Sequence, residues 1–131
     1  MKNKKTLIEI AIEKGDIEYL FNIACSDGDI NYVKEKIGNL KPSEMEFGFS
    51  LAAHNNHLDI VKFLFDSNVL SLTGRNSMTN IDNAFMSSLT LEGKPNDVTK
   101  YLLEDKGYIP KEDILFWIEE NEIDFDTEKY W

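Results

Sequence analysis

The side chains that could do chemistry are few. His54 and His57 are the two histidines of the 131-residue chain, spaced i, i+3 with Asp59 nearby. On a helix that spacing offers two imidazoles to a metal, but no convincing third ligand falls on the same face. Cys25 is the single cysteine, so it closes no internal disulfide and no Cys-based zinc site. With no histidine close to it in sequence, it reads as a small packed apolar group rather than a nucleophile. The chain has no Gly-rich phosphate loop, no Gly-x-Ser-x-Gly and no His-Glu-x-x-His. Carboxylates are abundant at 24, against 14 basic residues. In so acidic a chain, two that fall close together do not point to an acid/base pair. The expectation is a protein that is not an enzyme and carries no cofactor and no metal.

The formal net charge is −10. Such a balance repels phosphate backbones, so neither direct nucleic-acid binding nor an anionic membrane surface is expected. The basic residues are all Lys except Arg75, and Arg is the preferred fork for phosphate and carboxylate. The acidity is concentrated at one end. Residues 104–131 hold ten acidic and three basic residues, net −7, while the first 103 contribute −3. Glu119, Glu120 and Glu122 fall at the C-terminal end of a helix, where the macrodipole is already negative and each exposed carboxylate costs roughly 0.3–1 kcal/mol. They are not placed for the helix's own stability. Together with Asp124, Phe125, Asp126, Tyr130 and Trp131 they make a candidate acidic face for a basic protein, Tyr and Trp being enriched in binding hot spots. The alternative is a solvated tail that maintains solubility. Arg75, Asn76 and Met78, in a long polar connection, form a second candidate contact region; the alternative there is a linker.

The elements that must position these residues are helical almost throughout. A chain with 42% hydrophobic residues, among them 8 Phe, 5 Tyr and 2 Trp, can build a core. Leu7, Ile8, Ala11 and Ile12 predict a first helix closed by Gly15. Asp16 caps a second, with Ile17, Leu20, Phe21 and Ala24, ending near Gly28. Asp29 caps a third, with Ile30, Val33 and Ile37, stopped by Gly38. Ser43 and Glu46 have capping-box spacing for a fourth, through about Asn55. A fifth, His57 to Asp66, is apolar on more than one face and must pack on both sides. Ser67 to Thr79 reads as a long connection or short hairpin. A sixth helix is expected over Asn80 to Glu92 and a seventh from an Asn96 cap through Glu104. An eighth, Lys111 to Glu120, has Pro110 in its first turn. Residues 122–131 alternate apolar and acidic, as an extended arm or a frayed tail.

Short helices joined by two or three residues prompt a search for repeats. Asp16-Ile17-Glu18-Tyr19-Leu20 recurs as Asp29-Ile30-Asn31-Tyr32-Val33, and more loosely from Asp59 and from Asp97. Ala11/Gly15, Ala24/Gly28 and Ala52/Asn56 repeat a small residue followed four positions on by a residue suited to a left-handed turn. The stretch from Leu51-Ala52-Ala53 through Asn56-His57-Leu58 to Ile60-Val61-Lys62-Phe63-Leu64 resembles an ankyrin repeat, with Asn56 where Gly is usual. Ala24 to Ile37 is a weaker match and 80–105 a degenerate one. The Thr-Pro-Leu-His turn is replaced by Phe47-Gly48-Phe49-Ser50. The spacings, 28 residues from Ile30 to Leu58 and 38 from Ile60 to Val98, depart from the family's about 33.

The resemblance implies an all-α, irregular ankyrin-like solenoid of about eight short helices in antiparallel pairs. It spans 1–131 as one domain: a cap helix to residue 15, repeat-like pairs over 16–105, and a C-terminal cap helix with acidic tail over 106–131. It also implies that His57 bonds to neighbouring backbone. As scaffolds for recognition, such folds suggest a binding module. The expected function is an acidic inhibitor occluding a basic nuclease-like or nucleic-acid-binding partner. A toxin immunity protein, or a phage-encoded inhibitor of a defence enzyme such as an anti-CRISPR, would have these properties. The alternative is an adaptor or host-directed effector that grips a protein on its concave face. With no secretory signal pattern and no apolar run of about 20 residues, a cytoplasmic location is expected.

Overall fold

The computed structural model describes residues 5–67 and 79–130. Side-chain N-caps at Thr6, Asp16, Asp29, Thr79 and Asn96 open five of the α-helices. In α1 (Leu7–Lys14) the Thr6 hydroxyl accepts the Glu9 N–H at 3.1 Å. Asp16 accepts the Tyr19 N–H to open α2 (Ile17–Asp27), and Asp29 accepts the Tyr32 N–H to open α3 (Ile30–Lys36). A 3-10 turn, Ile37–Asn39, follows. Then come α4 (Pro42–His54), α5 (Leu58–Asp66), α6 (Asn80–Ser88), α7 (Asp97–Lys100) and α8 (Glu112–Glu120). A π-helical turn, Tyr101–Asp105, continues α7, and a 3-10 turn, Glu128–Tyr130, is the last described element. The described residues contain no strand.

The described residues are thus all-helical, with differences at element ends. The fourth helix is capped at Lys41, two residues before the expected Ser43. Pro42, with no N–H to satisfy, takes the first helical position, and the Glu44 carboxylate accepts the Lys41 N–H at 2.8 Å. The sixth stops at Ser88 rather than Glu92, followed by turns. The seventh gives way to the π turn, where the Lys106 N–H reaches back to Tyr101 O. Pro110 precedes the last helix instead of lying in its first turn.

Loops of two or three residues after α2 and α4 make their neighbours antiparallel. α2 packs on α3 and α4 on α5, while α2, α4 and α6 contact one another in sequence and α3, α5 and α7 do the same in a second layer. α1 packs on α2 at one end. The hairpin turns are tied together laterally. Asn56 holds φ 61° in the left-handed region, and its side chain accepts the Asp97 N–H at 3.0 Å. Asn96 Nδ2 donates to Ala53 O at 3.0 Å. One cluster of buried side chains runs from Phe21 in α2 through Phe49, Ile60, Leu64 and Phe85 to Ile118 in α8. Buried area of this kind contributes about 25 cal/mol per Å² of apolar surface.

Gly48 lets the first layer close. A Cβ there would sit 2.8 Å from Phe21 Cε1 and 2.9 Å from Cys25 Sγ, so α2 and α4 approach through a missing side chain. No helix is long and apolar enough to cross a membrane, among the described residues.

Candidate functional site

The two histidines are drawn apart by their partners. His57 Nε2–H donates to Ser26 O at 2.8 Å, since a carbonyl can only accept. Its ring lies over Gly28, whose φ of 85° and lack of a side chain make the room. His54 Nδ1 lies 2.7 Å from Thr90 Oγ1. The one hydroxyl proton of Thr90 goes to Ser87 O at 2.8 Å, so the imidazole is the donor there. Both rings tie one hairpin to the next. Cys25 is fully buried, and desolvation pushes its thiol up to about 12, which leaves essentially no thiolate near neutral pH.

The acidic C-terminal residues are gathered and held. In α8, Ile114, Leu115 and Ile118 are buried, and Glu112, Asp113, Glu119 and Glu120 face outward. The helix ends with Glu122 in the left-handed region (φ 54°), and Ile123 N–H donates to Ile118 O at 3.1 Å. Beyond it the chain forms an arm pinned at three points. Asp124 N–H donates to Gly93 O at 2.8 Å. The Phe125 ring meets Phe85 edge-on at 5.6 Å and stacks on Tyr130 at 5.7 Å. The buried Thr127 hydroxyl donates to Glu119 Oε1 at 2.7 Å. The alternation read in the sequence therefore becomes an alternation of sides: Ile123, Phe125 and Thr127 pack inward, and Glu122, Asp124, Asp126 and Glu128 are exposed. Phe125 acts as the anchor of this arm rather than as a projecting contact. Arg75, Asn76, Met78 and Trp131 lie outside the described residues, as does the interior of the connection expected over Ser67 to Thr79.

Two features escaped the sequence. Asp82, whose side chain is 2% exposed, accepts from Tyr108 Oη at 2.6 Å, Thr79 N at 2.9 Å and Lys111 Nζ at 2.9 Å. It joins α6 to the segment that enters α8. Burial alone would raise its pKa, but bonds from Tyr108, Thr79 and Lys111 outweigh that and hold it below its ordinary 3.8. Desolvation, and then the neighbouring carboxylate, push the Tyr108 phenol upward. The second feature is an open groove of about 500 Å³ between α4 and α6, lined by Glu46, Phe47, Ser50, Asn83, Met86, Ser87 and Thr90. Phe47, on its wall, is 64% exposed.

No family model matches the chain, and no curated protein or solved structure matches it.

Proposed function

We propose that the chain is an irregular ankyrin-like solenoid that works without catalysis, as an acidic inhibitor of a basic protein. Its partner class is a nuclease or other nucleic-acid-binding enzyme, whose basic active site or channel the acidic surface occludes. A toxin immunity protein and a phage-encoded inhibitor of a defence enzyme, such as an anti-CRISPR, are the biological settings that fit. The observation that carries this reading is the arm. Glu122, Asp124, Asp126 and Glu128 are exposed in alternation on a segment fastened at Gly93, Phe85 and Glu119. A mobile acidic tail loses ordering entropy when it binds, whereas a fastened row of carboxylates has already lost it. Opposite charge on the partner then speeds encounter and sets register. The ankyrin part of the proposal draws support from the paired layers and from His57, which bonds to the backbone of the preceding hairpin.

The test neutralises the arm in place, with Glu122→Gln, Asp124→Asn and Asp126→Asn in one folded variant. Capture of the basic partner is expected to fall at least tenfold; undiminished capture would exclude the arm. A second reading, an adaptor or effector binding through the α4/α6 side, is favoured by one observation, the exposed Phe47 beside that groove. Under it, Phe47→Ala abolishes capture and the arm variant does not.

A further inference from the structure

Glu46 and Phe47 are neighbours in α4 and both line the α4/α6 groove, with Ser50 one turn further and Asn83, Met86 and Ser87 across from them on α6. Phe47 is 64% exposed and Glu46 half-buried. Among the described residues, no lysine or arginine lines the groove and none pairs with Glu46. The Ser50 and Ser87 hydroxyls and the Asn83 side-chain amide have no hydrogen-bond partner among the described residues either. An apolar cleft with a few convergent polar groups is the usual form of a binding site. The one ionised group in this cleft is an acid.

The chain already uses this pair of residue types elsewhere. Phe65 and Asp66, also neighbours in sequence, end α5 and hold one cation between them. Lys106 Nζ lies 4.6 Å from the Phe65 ring centroid and 3.5 Å from Asp66 Oδ1. The ring attracts the cation through its negative face, and the adjacent carboxylate supplies the counter-charge. Phe47 and Glu46 present the same two groups to solvent, on a chain of net −10. The rest of the groove separates the two cations a protein can offer. An ammonium is a compact point charge that the ring and the carboxylate already serve. A guanidinium is planar, lies flat on an aromatic ring and carries five N–H donors in a fixed fork. Ser50 Oγ, Ser87 Oγ and Asn83 Oδ1 are acceptors for the donors that the carboxylate leaves over, and Met86 gives the stem an apolar wall.

We infer that the α4/α6 groove binds an arginine side chain of a protein partner, its guanidinium stacked on Phe47 and forked on the Glu46 carboxylate. Such a site rests on the second reading above, the α4/α6 side as a contact, and names what that side grips. It draws nothing from the 122–128 arm.

The experiment is an NMR titration of the isotope-labelled full chain at low salt with a blocked glycine-arginine-glycine peptide, and with its lysine and citrulline counterparts. Saturable shifts of the Glu46, Phe47, Ser50, Asn83 and Ser87 amides are expected, with half-saturation on the order of 1 mM. The lysine peptide should bind about threefold more weakly, and the citrulline peptide, which keeps the shape and loses the charge, about tenfold. Glu46→Gln and Phe47→Ala should each weaken the arginine peptide about fivefold, while Asp124→Asn leaves it unchanged. The spectrum of each variant verifies its fold. Shifts confined to the arm, no saturation in the groove, or equal binding of the lysine or citrulline peptide overturns the assignment. If Phe47→Ala abolishes capture of the partner while no peptide enters the groove, the arginine site falls and the adaptor reading stands. Peptide binding in the groove with capture untouched by Phe47→Ala does the reverse.

Discussion

Asp82→Ala removes the buried carboxylate that joins α6 to the entry of α8. Three donors lose their acceptor: Tyr108 Oη at 2.6 Å, Thr79 N at 2.9 Å and Lys111 Nζ at 2.9 Å. Hydrogen bonds to a charged group contribute about 1.5–3 kcal/mol each, and removing one partner of a buried ion pair costs about 3–5 kcal/mol. The Lys111 side chain is 46% exposed and regains water, which places the loss near the lower limit, about 3 kcal/mol. With a urea dependence of about 1.5 kcal/mol/M, the unfolding midpoint falls by roughly 2 M. Tyr108→Phe should cost less, and the double variant should cost less than the two losses added, because both act on one bond. The pH dependence has a definite sign. A carboxyl whose folded pKa lies below its unfolded value stabilises fully above that unfolded value, about 3.9, and loses the contribution as pH falls through the folded one. The stability gap between the wild type and Asp82→Asn is therefore constant from about pH 5 to 7 and closes only below about pH 4. A loss under about 1 kcal/mol in Asp82→Ala, or a gap that closes near neutral pH, refutes the assignment of Asp82 as a buried, charged hub.

Three further outcomes are expected. Gly48→Ala should destabilise by about 1–3 kcal/mol, since its methyl group would lie 2.8 Å from Phe21 Cε1; in an unobstructed helix the same change stabilises, so the sign of the shift in thermal unfolding decides the matter. Glu122→Gly should raise stability by about 0.5–1 kcal/mol by relieving a left-handed backbone, and an unchanged or lowered urea midpoint would speak against that strain. Cys25, buried with its thiol pushed up to about 12, should resist a thiol reagent at pH 8 until urea unfolds the chain; prompt stoichiometric labelling of the native protein contradicts that burial.

The fold was legible where a local signal and the tertiary structure agree. Asp16 and Asp29 cap their helices, and Gly28 and Asn56 take left-handed turns. The Ala at each hairpin marks close approach, as at Ala24, Ala52 and Ala53. Element ends were less legible because several candidate caps compete and packing chooses among them: Pro42 took the start of α4 from Ser43, and the turns after Ser88 shortened α6. The alternation of 122–128 was plain, but its anchors were not. Gly93 O and Phe85 are about thirty and forty residues away, and no local pattern encodes such contacts. The same distance hid the bond between Asp82 and Tyr108. Gly48 gave no warning either, since its meaning lies in Phe21 and Cys25 on another helix.

The most direct measurement of the inhibitor proposal is capture by the tagged full chain from its native host's lysate over a salt series, read by mass spectrometry. A single basic nuclease or nucleic-acid-binding protein, retained at low salt and released as salt rises past about 0.3 M, is the expected result, because exposed charges more than about a Debye length apart are then screened. A neutral or acidic partner held equally at every salt concentration would contradict it and leave the carboxylates of the arm as a solvated surface.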